Sequence, residues 1–195
     1  MVDFTSALYL GFWHTTATLH PWRQLTTGVP AALGEPASAR QVAAQVAQLQ
    51  GCEQAVLARS TLHLCWDLFG LLAQEKVVIL LDEGAYPTVA WGVERAAGRG
   101  VPVQTFAHND VAVLQRHLRR GTGGLRPVVV SDGLCHCCGC TAPLADYVEC
   151  VERTGGLLII DDTQALGLLG HSPSPAAPYG HGGGGSLGWS GVSSS

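Results

Sequence analysis

The sequence predicts an α/β fold, a mostly parallel sheet with helices on both faces, on three observations. Short apolar runs alternate with helical segments from Arg40 onward, the order that builds βαβ units. The runs KVVILLD and PVVVSD are continuously apolar rather than alternating, as in strands covered on both sides. Finally, the 195 residues are 47% hydrophobic and only 13% charged, so the chain can bury a core without help from a metal or disulfide.

The elements follow in order. ARQVAAQVAQLQG places Val42, Val46 and Leu49 at helical spacing and stops at Gly51. TLHLCWDLFGLLAQ reads as a second helix, and KVVILLD as the first strand. Helix PTVAWGVERAAG, strand VPVQTF, helix NDVAVLQRHLRR, strand PVVVSD, helix APLADYVECVERTG and strand LLIIDD complete the alternation. Asn109 or Asp110 can cap the helix NDVAVLQRHLRR, and Pro143 suits the first turn of the last helix. The basic run Arg116 to Arg120 is expected to close a helix, where cations suit the dipole.

Ligands of such sheets bind at the carboxyl ends of the strands. One rim should therefore gather Asp82 to Tyr86, Ser131 to Cys140, and Asp161 to Gln164. Residues 1–39 read as an N-terminal segment, 40–170 as the core, and 171–195 as a Gly-, Ser- and Pro-rich end without periodicity.

Composition also narrows the function. A formal net charge of -4 gives no electrostatic basis for nucleic-acid binding. No apolar run reaches the roughly 20 residues of a membrane span. The start MVDFTSALYLGFW lacks a basic region ahead of its apolar stretch, unlike a signal peptide. Seven cysteines, an odd number, fit reduced thiols in a cytoplasmic setting.

The ordered set ALYLGFWH, AQVAQLQGCEQAVLA, LDEGAYPTVAWG, FAHNDVAVLQRHL, VVVSDGLCHCCGCTAPLADYVE and LLIIDDTQALGLLG resembles one family. It is similar to the α-oxoamine synthases, of the 8-amino-7-oxononanoate synthase type, among the pyridoxal-phosphate (PLP) transferases of fold type I. The resemblance runs from Ala7 to about Gly170. It implies the large domain of such an enzyme, PLP as cofactor, and a homodimer that either joins an amino acid to an acyl-CoA or, as an aminotransferase, transfers an amino group.

Site roles follow from the same resemblance. Asp161 matches the aspartate that pairs with the pyridine nitrogen, where a negative charge keeps the ring protonated as an electron sink. Gln164 stands where the family has a histidine near the phenolic oxygen; an amide still donates a hydrogen bond but cannot titrate near neutral pH. Tyr86 falls where a histidine stacks over the ring, and its aromatic face can do the same; the plainer alternative is a tyrosine packed at a helix start. Ser60, Thr61 and Leu62 match a phosphate cup at a helix N-terminus, or form an ordinary N-cap. His136 takes the place of a serine near the phenolic oxygen.

The segment DGLCHCCGCTAPL raises its own question, with four cysteines and a histidine between Cys135 and Cys140. Its two CxxC pairs overlap, so adjacent Cys137 and Cys138 would diverge, unlike the separated pairs of a structural zinc site. Against the family pattern, Gly133, Gly139, Ala142, Pro143 and Leu144 are framework and the cysteines fill variable slots. No metal ligand is assigned, and a reactive thiol or a metal and redox role for the loop remain alternatives.

The resemblance also implies a Schiff-base lysine a few tens of residues after LLIID, beyond a Gly-rich stretch. The single lysine, Lys76, precedes VVILLD and sits at the wrong rim. The sequence is therefore expected to be a truncated, first portion of such a transferase, with no catalytic residue of its own. The alternative is a non-catalytic descendant that acts as a binding module.

Overall fold

The computed structural model describes residues 35, 37–50 and 52–166. Residues 1–34 and 36 of the expected N-terminal segment 1–39, and all of the expected end segment 171–195, lie outside the described residues. The elements run α1 (Ala37–Gln50), α2 (Thr61–Leu72), β1 (Val77–Asp82), α3 (Pro87–Ala97), β2 (Val103–Phe106), α4 (Val111–Arg120), β3 (Arg126–Asp132), α5 (Leu144–Thr154) and β4 (Leu157–Asp161). The four strands form one sheet in the order β2-β1-β3-β4. All neighbours are parallel, with Ile79 opposite Val103, Ile79 also opposite Val128, and Val130 opposite Ile159.

Side-chain parity divides the sheet into two faces. Val77, Ile79, Val128 and Val130 pack against Cys65, Phe69 and Leu72 of α2 and Val89, Val93 and Ala96 of α3. Leu80, Phe106 and Val129 pack on the other face against Leu114 of α4 and Leu144, Tyr147, Cys150 and Val151 of α5. Strands β1 and β3 are thus covered on both sides, which explains their unbroken apolar runs.

Helices α2 and α3 meet closely because Gly92 has no side chain. A Cβ there would lie 2.4 Å from Phe69 Cδ2 and 3.1 Å from the Cys65 carbonyl oxygen. Arg95 locks the same contact, stacking 4.2 Å above the Trp66 ring while its guanidinium donates to the Trp66 carbonyl.

The crossovers change sides at one point. The β1 to β2 connection carries α3 on one face, whereas the β2 to β3 and β3 to β4 connections carry α4 and α5 on the other. Loops 83–86 and 133–143 therefore leave adjacent strands β1 and β3 in opposite directions. This is the topological switch point where open α/β sheets leave a crevice at the carboxyl rim.

Two local expectations are corrected. In α1 the buried positions are Ala43 and Ala47, while Val42 is 46% exposed. Val46 is half-buried, so the buried face centres on the two alanines. Pro143 is the residue before α5 rather than part of its first turn, with ψ 67 outside the helical range. Elsewhere the basic run closes α4 as expected, with His117, Arg119 and Arg120 in its last turn and Asp110 capping Val113 N–H at its start.

Candidate functional site

Asp82 ends β1 fully buried, and a buried carboxylate persists only where donors surround it. Its Oδ1 accepts from Gly84 N–H at 2.7 Å and from His108 Nδ1 at 2.8 Å. Its Oδ2 accepts from the Ser131 hydroxyl at 3.0 Å, Asn109 N–H at 3.2 Å and the Tyr147 hydroxyl at 3.3 Å. Apart from Gly84 in the loop after β1, these donors come from β3, α5 and the loop after β2, so one carboxylate ties three further parts of the chain to the end of β1. Burial pushes the Tyr147 hydroxyl well above its ordinary value, and the Asp82 charge adds to this. For His108, burial works downward, but the bonds and charges of Asp82 and Cys138 outweigh it and raise the imidazole.

Gly84 makes room for this arrangement. A Cβ on it would sit 2.2 Å from His108 Nδ1, so the ring seats against a bare backbone. Asn109, next in the chain, takes a left-handed φ of 58, which residues of its type tolerate better than most.

Asp132 and Asp161 lie on the opposite face, paired in register at the ends of β3 and β4. Asp132 is buried; its Oδ1 accepts from Tyr86 N–H at 3.0 Å, and its Oδ2 lies 3.5 Å from His136 Nδ1. Burial raises the Asp132 carboxyl, Tyr86 N–H works against this, and the Asp161 charge raises it further. Asp161 is half-buried, and Thr163 N–H holds its Oδ1 at 2.8 Å.

The expected site residues fall into two groups at this rim. Tyr86 and His136 meet edge to face, with centroids 5.0 Å apart and planes at 81°, across the switch point. Asp161 and half-buried Gln164 stand at the end of β4, beside them in the sheet. Ser60 is the N-cap of α2: its Oγ accepts from His63 N–H at 3.3 Å and lies 2.8 Å from His63 Nδ1. Thr61 and Leu62 follow it in the exposed first turn. One turn further, the Cys65 thiol is raised by burial and by the nearby Asp161 charge, so α2 passes close to the end of β4.

The cysteine loop closes on itself. Leu134 and Thr141 bridge its base, Cys135 N–H donates to the Cys140 carbonyl at 2.9 Å, and Gly139 turns at φ 68. Adjacent cysteines do diverge: Cys137 Sγ lies 3.1 Å from His136 Nε2, while Cys138 Sγ lies 3.6 Å from His108 Nε2. Cys140 N–H also donates to Cys138 Sγ at 3.4 Å. That bond, with the His108 contact and the neighbouring thiols, lowers the Cys138 thiol to about 6. All seven cysteines are free thiols.

The Asp82 and His108 cluster was not assigned a role from the sequence. The only early sign was the position of Asp82 at the end of an apolar strand. His108 lies in FAHND, which reads as a turn and cap, and only the placement of β2 beside β1 brings it there.

No family-wide sequence profile matches the chain. It is 27% identical over 176 residues to the 8-amino-7-oxononanoate synthase of Klebsiella pneumoniae (strain 342), covering 87% of this chain and 45% of that protein. Against the enzyme of the same name from Dechloromonas aromatica (strain RCB) it is 30% identical over 115 residues, covering 55% and 30%. The chain is a relative of the α-oxoamine synthases. A serine palmitoyltransferase from S. paucimobilis with bound PLP superposes with a TM-score of 0.71 at 19% identity, over 87% of this chain and 39% of that one. An 8-amino-7-oxononanoate synthase from Francisella tularensis gives 0.61 at 15% identity, over 80% and 40%. The fold is thus that of α-oxoamine synthases, and this chain spans about half the length of the curated relatives it matches.

Proposed function

We propose that this chain forms the PLP-facing part of an acyltransferase of the 8-amino-7-oxononanoate synthase type, with the cofactor ring held at the switch point between β1 and β3. The observation that carries the reading is the grouping of Tyr86 and His136 over Asp132, beside Asp161, at that crevice.

The residues present fit the cofactor. Asp161 offers a carboxylate fixed by Thr163 N–H, suited to hold the proton of a pyridine nitrogen. The Tyr86 ring, 37% exposed, leaves a face for stacking while His136 holds its edge. The N-terminus of α2 at Ser60, Thr61 and Leu62 offers the Ser60 hydroxyl and the backbone N–H groups of Thr61 and Leu62, which have no carbonyl partner within the helix and suit a phosphate. Gln164 supplies an amide for hydrogen bonding and no proton transfer near neutral pH. When bound, PLP supplies the electron sink for a carbanion at an amino acid's α-carbon.

Lys76 precedes β1 at the amino rim, remote from these residues. No lysine of this chain therefore anchors the cofactor covalently, and amino-acid and acyl-CoA chemistry, like dimerisation, belongs to the reading of the whole enzyme.

The test is a PLP titration of the 195-residue chain, followed by absorbance and quenching of the protein's aromatic fluorescence. Saturable binding that dialysis removes, that borohydride does not fix, and that Asp161→Ala weakens about tenfold or more would support the reading. Binding that is absent, or indifferent to Asp161→Ala and Tyr86→Ala alike, would overturn it.

A further inference from the structure

The PLP reading uses neither the Asp82 and His108 pair nor the thiols of Cys135 and Cys138. These side chains nevertheless converge. Among the described residues, His108, Cys135 and Cys138 bring one imidazole nitrogen and two sulfurs to within 4.8 Å of one another. We propose that His108 Nε2, Cys135 Sγ and Cys138 Sγ form a binding site for a thiophilic divalent cation of the zinc class.

Four features support it. First, the donors match the metal: thiolate and imidazole are the ligands such ions take up, at about 2.3 Å and 2.0–2.1 Å. A tetrahedral site with those bond lengths separates its nitrogen and sulfur ligands by about 3.6 Å. The distance between His108 Nε2 and Cys138 Sγ is 3.6 Å.

Second, the histidine is oriented as metal ligands are. Its Nδ1 is engaged by the buried Asp82 carboxylate at 2.8 Å, which turns Nε2 toward Cys138 Sγ, where the Asn109 side-chain amide also approaches it at 3.2 Å. Carboxylate–histidine pairs of this kind fix the ring and raise its strength as a ligand. Gly84 leaves the space in which the ring seats.

Third, the loop has the shape of a chelating turn. Cys135 and Cys138 form a CxxC pair followed by Gly139 at positive φ, which brings Cys140 N–H back onto Cys138 Sγ at 3.4 Å. A backbone donor aimed at a sulfur stabilises its thiolate, the form that binds metal. Fourth, Cys137 is turned away to His136, so the site selects two sulfurs from a crowded loop. Cys138 is exposed, which leaves an entry path and a fourth coordination position toward solvent.

The sequence obscured this site because its third ligand lies in another connection. His108 follows β2, and the cysteines follow β3. The parallel order β2-β1-β3 sets those two loops on either side of the end of β1, where Asp82 joins them.

The experiment is zinc binding to the full 195-residue chain, reduced and stripped with a chelator, then reloaded and dialysed. Elemental analysis should return one zinc per chain, and cobalt substitution should give a thiolate charge-transfer band. His108→Gln and Cys138→Ser should each weaken zinc binding at least tenfold in a chelator competition, while Cys137→Ser and Cys52→Ser leave it unchanged. Circular dichroism identifies the variants that remain folded, and His108→Gln and Cys138→Ser, both at partly or fully exposed positions, decide the matter without buried Cys135. No stoichiometric zinc, wild-type affinity in both variants, or equal losses in Cys137→Ser and Cys138→Ser would overturn the proposal. The readout is independent of PLP, so failure of the cofactor reading leaves it standing.

Discussion

Asp132 and Asp161 stand in register at the ends of adjacent parallel strands, so their carboxylates share one face of the sheet. Asp132 is the buried member, and it carries the cost: burial first, then the Asp161 charge, raise its carboxyl above the ordinary value despite the Tyr86 N–H bond. An acid raised in the folded state binds its proton more tightly there than in the unfolded chain. Its contribution is therefore neutral below the unfolded value of about 3.9 and becomes destabilising as pH rises from there through the folded value. Asp132→Asn should match the wild type in stability near pH 3.5 and gain on it toward pH 7. Urea midpoints across that range check this, and an Asn variant that loses ground as pH rises would contradict it.

The Asp82 network gives a graded series. Tyr147→Phe removes one hydroxyl donor of several and is expected to cost about 0.5–1.5 kcal/mol. Asp82→Ala strands the Ser131 and Tyr147 hydroxyls, Gly84 and Asn109 N–H, and the His108 ring together, and should cost about 3 kcal/mol or more. Denaturant unfolding of both variants orders them, and similar losses would mean that the carboxylate is not the centre of the network.

Two glycines, one inside α3 and one at its C-cap, should respond in opposite directions. Gly92→Ala drives a methyl into the Phe69 ring and the Cys65 carbonyl, and overpacking of this kind costs roughly 1–3 kcal/mol. Gly98, with φ -62 and ψ -14, already has helical dihedrals, and an added Cβ meets only ordinary contacts at 3.5 and 3.6 Å. Gly98→Ala should therefore stabilise by about 0.4–1 kcal/mol by restricting the unfolded chain. Thermal melts of the pair test both signs.

Gly84→Ala probes the zinc site without touching a ligand. The new methyl must push the His108 ring off Asp82, and losing such a supporting contact typically costs 10–100-fold in metal affinity. Chelator competition should show that loss, with the far-ultraviolet circular dichroism unchanged.

The strands and helices were legible because β1 and β3 are buried on both faces, so their composition reports their surroundings directly. The rim was legible too, since chain connectivity alone sends Asp82, Asp132 and Asp161 to one end. What could not be read was which rim residues face each other. Asp82 and Asp132 both end strands, yet one points toward Tyr147 and the other toward Tyr86, a difference set by strand parity. The buried face of α1 is a further case: the apolar pattern marks Val42 and Val46, but burial falls on the neighbouring Ala43 and Ala47. The divergence of Cys137 and Cys138 followed from their adjacency, but not the arrival of His108 beside one of them.

The all-parallel pairing also governs how the chain folds. Strands joined at Ile79 and Val103, Val77 and Arg126, and Val128 and Leu157 are each separated by at least one helix, so none can zip up from a turn. The ends of each loop must close before any strand contact rewards it, which makes folding slow and leaves branched strands such as VVILL and PVVV transiently bare. Recovery on refolding should therefore fall as protein concentration rises, because a strand waiting for its neighbour can meet another chain first.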